Sequence, residues 1–314
     1  MQQNKLNYRF WFYNLIPEKI VNFLILIRFE KPIGFLLLMW PCWFALAILS
    51  VKNLKYYILL FIGSFCMRGV GCIINDYLDR DIDIKVNRTS QRPLAQEKIT
   101  IVEALILMII LLIISFFILI QFSFQSIVLT SLSIPLIIIY PLMKRYTYWP
   151  QLILGITFNW GILVVFLEFE KFITTKSILL YIACIFWTLG YDTIYAYQDK
   201  KDDIKINLKS TAILFANKGK YFVMLFYSFF VLFIGFSVNF GGFQLINSIV
   251  LIGIFILLMF VLYNWNLNSP SSSNKYFKAN GIIDSTVKLP TKIYNHALVG
   301  KTIAAITIYI FNLI

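Results

Sequence analysis

The chain has 314 residues, 60% of them hydrophobic and only 14% charged, with a formal net charge of +13 and a mean hydropathy of +0.78. That composition is too apolar for a soluble globular domain. With no basic soluble domain to carry it, the positive charge is not a nucleic-acid footprint.

Residues 1–20 are aromatic and basic and lack the short apolar core and small-residue cleavage site of a signal peptide. Residues 19–31 mix apolar positions with Lys19, Asn22, Arg28 and Glu30, which predicts an amphipathic surface helix within 1–32. Apolar runs then follow at 33–50, 57–75, 102–121, 126–142, 152–168, 177–196, 221–239, 244–263 and 299–314. Most have the ~20 residues that cross a hydrocarbon core. The runs are continuous, whereas strands of a membrane β-barrel alternate. The expected fold is all-α and integral to the membrane, with about nine transmembrane helices in one domain over 1–314.

Lys and Arg fall in alternate loops. One set holds Arg80, Lys85, Arg88, Arg92 and Lys98, then Lys144 and Arg145, then Lys200 to Lys220, then Lys275 to Lys292. The other set holds only Lys52, Lys55, Lys171 and Lys176. This asymmetry places the basic loops and the N-terminus in the cytoplasm.

Cys42, Cys66, Cys72 and Cys184 all lie within predicted spans, without disulfide or zinc spacing. A single histidine, His296, cannot build a histidine metal site. Any metal is therefore expected on oxygen ligands.

Acid is concentrated in two places. Eight of the fifteen acidic residues lie in 75–83 and 192–203, each at the end of an apolar run. Both stretches share an Asp-x-x-x-Asp-Ile-Lys-(Val/Ile)-Asn frame, at Asp79–Asn87 and Asp199–Asn207. Arg68, Asn75 and Asp79 have the i, i+7, i+11 spacing of one helical face, with Asp83 a turn further on. Asp192, Asp199 and Asp203 repeat that spacing, with Tyr195 among them. Two polar stripes that deepen from one membrane face indicate an internal repeat and a functional site.

Carboxylates without histidine or thiolate suit Mg²⁺, which is usually held by one or two carboxylates together with phosphate oxygens. Two such stretches facing each other would hold about two or three ions around one diphosphate. Arg80, Lys85, Arg88, Arg92, Lys144, Arg145 and Lys209 would neutralise the remaining charge. A substrate bound at the end of apolar helices should join a charged head to a greasy tail, as a polyprenyl diphosphate does. A cation-coupled transporter also uses intramembrane acids and repeats, but its site belongs near the midplane, whereas these acids crowd one mouth.

Asn75-Asp76-x-x-Asp79-Arg80-x-x-Asp83, with Arg88-Thr89 and Arg92-Pro93-Leu94, resembles the first motif of the UbiA family of intramembrane aromatic prenyltransferases. Tyr191-Asp192-x-x-Tyr195-Ala196-x-x-Asp199-x-x-Asp202-Asp203, running on to Lys209-Ser210-Thr211-Ala212, resembles the second. Arg28-x-x-Lys31-Pro32-Ile33-Gly34, Met67-Arg68-Gly69 and Tyr140-Pro141-x-Met143-Lys144-Arg145-Tyr146-Thr147-x-x-Pro150-Gln151 point to the branch that prenylates 4-hydroxybenzoate for ubiquinone biosynthesis. Haem- or naphthoate-type acceptors are the alternative, against which the Lys144–Gln151 and Asp192–Ala212 stretches argue.

The resemblance implies a central cavity open to lipid, in the bacterial inner membrane, with both acidic motifs at its cytoplasmic mouth. It implies Mg²⁺-dependent transfer from a polyprenyl diphosphate to the ring carbon ortho to the phenol. Asn75, Asp79, Asp83, Asp199 and Asp203 would hold Mg²⁺ and diphosphate. Asp76, Asp79, Asp192 and Asp199 are the implied catalytic acids. Asn75, Arg80, Arg88, Lys144, Arg145, Tyr195 and Lys209 would contact substrate, and Arg68 or Asp192 would face the aromatic acid. Asn207 stands where the family usually has glycine, which removes no ligand. The pattern stops after Asn280, and 281–314 reads as an atypical C-terminus.

Overall fold

A computed structural model describes residues 15–84, 89–240, 242 and 245–280. Every regular element among the described residues is helical. The order is α1 (Glu18–Leu26), α2 (Ile33–Ile48), α3 (Leu54–Leu78), α4 (Arg80–Asp83), α5 (Ile101–Leu119), α6 (Phe124–Ser131), α7 (Ile134–Ile139) and α8 (Met143–Tyr146). It continues with α9 (Pro150–Phe158), α10 (Trp160–Glu170), α11 (Thr175–Lys205), α12 (Thr211–Phe215), α13 (Gly219–Val238), α14 (Leu245–Asn264) and α15 (Pro270–Ala279).

Seven stretches among the described residues are long and apolar enough to cross a bilayer: 54–78, 101–119, 124–146, 150–170, 175–205, 211–238 and 245–264. Ile33–Ile48 is apolar but shorter. The expected span at 299–314 lies outside the described residues. The starts follow local chemistry. Thr100 with Glu103 and Thr174 with Ser177 form capping boxes that satisfy the first free N–H groups of α5 and α11. Pro135, Pro141 and the 3₁₀ turn Tyr140–Leu142 break the fourth expected span into α6, α7 and α8, because proline removes a helical hydrogen bond.

α11 is the axis of the fold. It packs against α2, α9, α10, α12, α13 and α15, and 61% of its apolar stretch is buried. Trp187 and Tyr191 sit fully enclosed there, beside Tyr227 of α13. By contrast, α5 is 11% buried and exposes Ile106, Ile109, Ile113 and Phe117. An apolar face of that size is stable only against lipid tails. The chain is a multi-pass membrane protein.

The two acidic stripes differ in backbone. α11 runs unbroken through Asp192, Asp199 and Asp203. α3 stops at Leu78, and Asp79 takes a non-helical conformation (φ −101°) before the short α4 carries Asp83. The continuous face expected from Arg68 to Asp83 is thus interrupted at Asp79.

Candidate active site

A cavity of about 1240 Å³ runs through the bundle. Its wall includes Leu59, Gly63, Met67, Gly71 and Asn75 along α3, and Asp79 just past the end of that helix. Twenty residues of helix make that wall ~30 Å long. The far part is apolar, with Leu60, Phe116, Ile118, Phe122 and Ile127. The near end is polar. Asn75, Asp79 and Asp83 come from the first motif, and Asp192, Tyr195, Asp199 and Asp203 from the second. The bases that line the cavity are Arg28, Lys31, Arg68, Arg92, Lys98, Lys144, Lys209 and Lys278.

The acids of the first motif arrive already paired. Asp79 is 1% exposed, bonds to Lys144 Nζ and lies 3.4 Å from Arg145 Nη2. Arg145 also donates to the Leu78 carbonyl at 2.9 Å, which pins α8 to the end of α3. Asp83 accepts from Arg92 Nη1 at 2.6 Å. Burial raises the Asp83 carboxyl above the usual carboxylate range, and the Arg92 charge opposes that rise. Lys209 of the second motif donates to the Tyr146 carbonyl at 3.0 Å, and its own N–H bonds the Lys144 carbonyl at 2.8 Å. The basic Lys144–Tyr146 turn is thereby fixed to the second motif.

Deeper in the cavity, Arg68 lies 5.6 Å from the Phe158 ring centre and forms no ion pair among the described residues. Its Nε is buried without a hydrogen-bond partner, as are Gln198 Oε1 and Ser210 Oγ on the same cavity wall. Buried orphans of this kind call for a polar ligand. Asp192 lines the cavity from α11 and interacts electrostatically with Arg68 across it. Tyr195 is packed against Phe277 of α15, ring centres 4.6 Å apart.

Three expected site residues are absent from the cavity wall: Asp76, Arg80 and Arg145, the last of which holds Asp79 and the Leu78 carbonyl instead. Asp76 does not line the cavity: it is 1% exposed and enclosed by Arg28 and Arg92. Arg80 is also absent from the cavity wall, because it turns outward to Glu97 at 2.7 Å. Lys85 and Arg88 lie outside the described residues. Arg28, Phe277 and Lys278 were not anticipated as site residues. The signal for Arg28 was present, in the Arg28-x-x-Lys31-Pro32-Ile33-Gly34 pattern.

The residues fit Mg²⁺. The donors at the mouth are carboxylate and amide oxygens, the hard ligands that ion prefers. Among the described residues no three acidic, histidine or cysteine side chains converge into a ready cage.

The profile of the UbiA prenyltransferase family matches residues 37–282. The chain is 38% identical over 267 residues to the 4-hydroxybenzoate octaprenyltransferase of Pseudoalteromonas translucida, covering 84% of this chain and 90% of that protein. It is 42% identical over 215 residues to the mitochondrial 4-hydroxybenzoate polyprenyltransferase of Arabidopsis thaliana, covering 67% of this chain but only 53% of the plant protein. The chain thus spans about half the length of that mitochondrial relative. In three dimensions it is similar to a UbiA homologue from Aeropyrum pernix, with TM-score 0.70 and 22% identity over 91% of this chain and 99% of that one. A UbiA homologue from Archaeoglobus fulgidus bound to GPP and Mg²⁺ gives TM-score 0.66 at 16% identity, over 93% and 99% of the two chains. At those identities the likeness is one of fold. Motifs, family profile and fold agree: the chain belongs to the UbiA prenyltransferase family.

Proposed function

We infer that the protein transfers a polyprenyl group from a polyprenyl diphosphate to the 3-position of 4-hydroxybenzoate, in ubiquinone biosynthesis, and releases diphosphate. The observation that carries this is the cavity itself. Two acidic motifs and their bases gather at one end, and a long apolar passage leads away from them. The acceptor is supported by relatives named 4-hydroxybenzoate octaprenyl- and polyprenyltransferase. The favoured location is the bacterial inner membrane, with the acidic mouth cytoplasmic, because the basic loops share that side.

Asn75, Asp79, Asp83, Asp199 and Asp203 would hold Mg²⁺, which when bound draws negative charge from the departing diphosphate. Lys144 and Lys209 share that load at the mouth, with Lys144 exchanging Asp79 for phosphate oxygens while Arg145 stays on Asp79 and the Leu78 carbonyl. The bond from prenyl C1 to oxygen breaks and its electron pair leaves with the diphosphate. An allylic cation remains in a cavity from which apolar walls exclude water. Arg68, whose Nε lacks a partner, receives the acceptor's carboxylate. Asp192, on the facing helix, accepts from the phenol and directs the ortho carbon toward the cation. The new carbon–carbon bond forms there, and the ring proton passes to the released diphosphate, which restores aromaticity.

The test supplies membranes containing the protein with Mg²⁺, a polyprenyl diphosphate and, separately, 4-hydroxybenzoate or a dihydroxynaphthoate. Formation of 3-polyprenyl-4-hydroxybenzoate alone is expected. Preferential prenylation of the naphthoate would overturn the acceptor assignment.

A further inference from the structure

Asp76 occupies a motif position yet faces away from the cavity. Its Oδ1 and Oδ2 both accept from Arg28 Nη2 at 2.8 Å, and its Oδ1 lies 2.9 Å from Arg92 Nη1. Asp79 is as closely paired, by Lys144 and Arg145, but it lines the cavity, whereas Asp76 has two guanidinium groups on it and no place on the wall. Arg92 Nη1 is shared, because it also donates to Asp83 at 2.6 Å. Two arginines and two aspartates thus form one balanced chain, Arg28–Asp76–Arg92–Asp83. Arg28, Arg92 and Asp83 reach the cavity wall, and Asp76 does not.

The backbone at Arg28 shows that this tether carries weight. Arg28 sits at φ 62°, with its N–H on Ile25 O (3.0 Å) and the next N–H, of Phe29, on Leu24 O (2.9 Å). That is the Schellman ending of a helix, at the position where glycine is normally found. Its Nη1 also bonds the Ile25 carbonyl at 2.9 Å. The side chain keeps a strained arginine where glycine would relax, and so ties the surface helix α1 to α3. Burial pulls the guanidinium pKa down, but the charge and hydrogen bond of Asp76 lead the interactions that hold it above its ordinary value.

We propose that Asp76 is a positioning residue rather than a metal ligand: it takes a share of the Arg92 charge that Asp83 would otherwise hold alone, so that Asp83 remains available to the cation. Without the Asp76 charge, Arg92 pairs with Asp83 alone and competes with Mg²⁺ for it. This rests on the Mg²⁺–diphosphate reading of the mouth.

The test is the Mg²⁺ concentration that half-saturates thermal protection of the purified, detergent-solubilised full chain in the presence of inorganic diphosphate. Asp76→Asn should raise it about tenfold, the scale of losing a partner behind a metal ligand. Adding Arg92→Gln should bring Asp76→Asn back to the value of Arg92→Gln alone. Asp79→Asn, at a ligand position, should stay impaired with or without Arg92→Gln. If Asp76→Asn does not fold, the double variant is compared with Arg92→Gln, and equal Mg²⁺ dependence is expected. Asp76→Asn without effect, or a double variant weaker than Arg92→Gln, would overturn the proposal. Absence of any Mg²⁺–diphosphate protection in the wild type would instead overturn the reading of the mouth.

Discussion

Gly34, at the start of α2, lies against Arg68 so closely that a methyl group added there would fall 2.6 Å from the guanidinium Nε. The glycine therefore serves the position of a side chain on another helix. Gly34→Ala should push Arg68 off its place over Phe158, because the flexible guanidinium yields before the backbone does. The expected result is an about tenfold rise in KM for 4-hydroxybenzoate with KM for the polyprenyl diphosphate unchanged, since one displaced charge-assisted hydrogen bond is worth about 1.5–3 kcal/mol. Steady-state kinetics with each substrate varied in turn would show it. A rise confined to the diphosphate would place Arg68 at the wrong end of the cavity.

Lys144 gives the complementary prediction. It bonds buried Asp79 and lines the mouth, while the Lys209 N–H fixes its carbonyl. Lys144→Met should raise KM for the polyprenyl diphosphate by about tenfold or more, through loss of a charge-assisted contact to phosphate. The acceptor KM should not move. Equal effects on both substrates would indicate general disorder of the mouth.

Arg80 should matter little. Its partner Glu97 is largely exposed, and exposed pairs contribute about 0–1 kcal/mol. Arg80→Ala should keep turnover within about twofold of wild type. A large loss in that assay would return Arg80 to the phosphate site.

Asn280 closes the described core from the other side. Its Oδ1 accepts from Tyr227 OH at 2.9 Å and Trp187 Nε1 at 3.4 Å, and its Nδ2 donates to Tyr276 O. Both side chains it serves, Tyr227 and Trp187, are buried. Asn280→Ala leaves two donors unsatisfied, at about 1–3 kcal/mol each. The unfolding midpoint in detergent should fall by about 5 °C or more. An unchanged midpoint would show that the network carries no stability.

Much of this was legible in residue order, and the rest was hidden for a physical reason. Hydropathy located the described spans because backbone polar groups inside lipid must be satisfied within the helix. The face spacing brought Asn75, Asp79, Asp192, Asp199 and Asp203 to one cavity. What spacing does not reveal is which partner a side chain takes. Asp76 and Asp79 are three residues apart, yet one is closed by Arg28, 48 positions earlier, and the other by Lys144, 65 positions later. The break at Asp79 turns Arg80 outward, and no periodicity argument through an unbroken helix anticipates that. The small residue at Gly34 likewise gains its meaning only from the approach of Arg68.

The central claim is that two acidic motifs, 120 residues apart in the chain, form one diphosphate-ionising site. The most direct measurement is turnover of polyprenyl diphosphate and 4-hydroxybenzoate by Asp79→Ala, Asp199→Ala and the double variant. Residues acting as a unit lose most of the rate when either is removed, so each single variant should fall by about 100-fold or more and the double should fall scarcely further. Losses that multiply, or a single variant with wild-type turnover, would contradict a shared site.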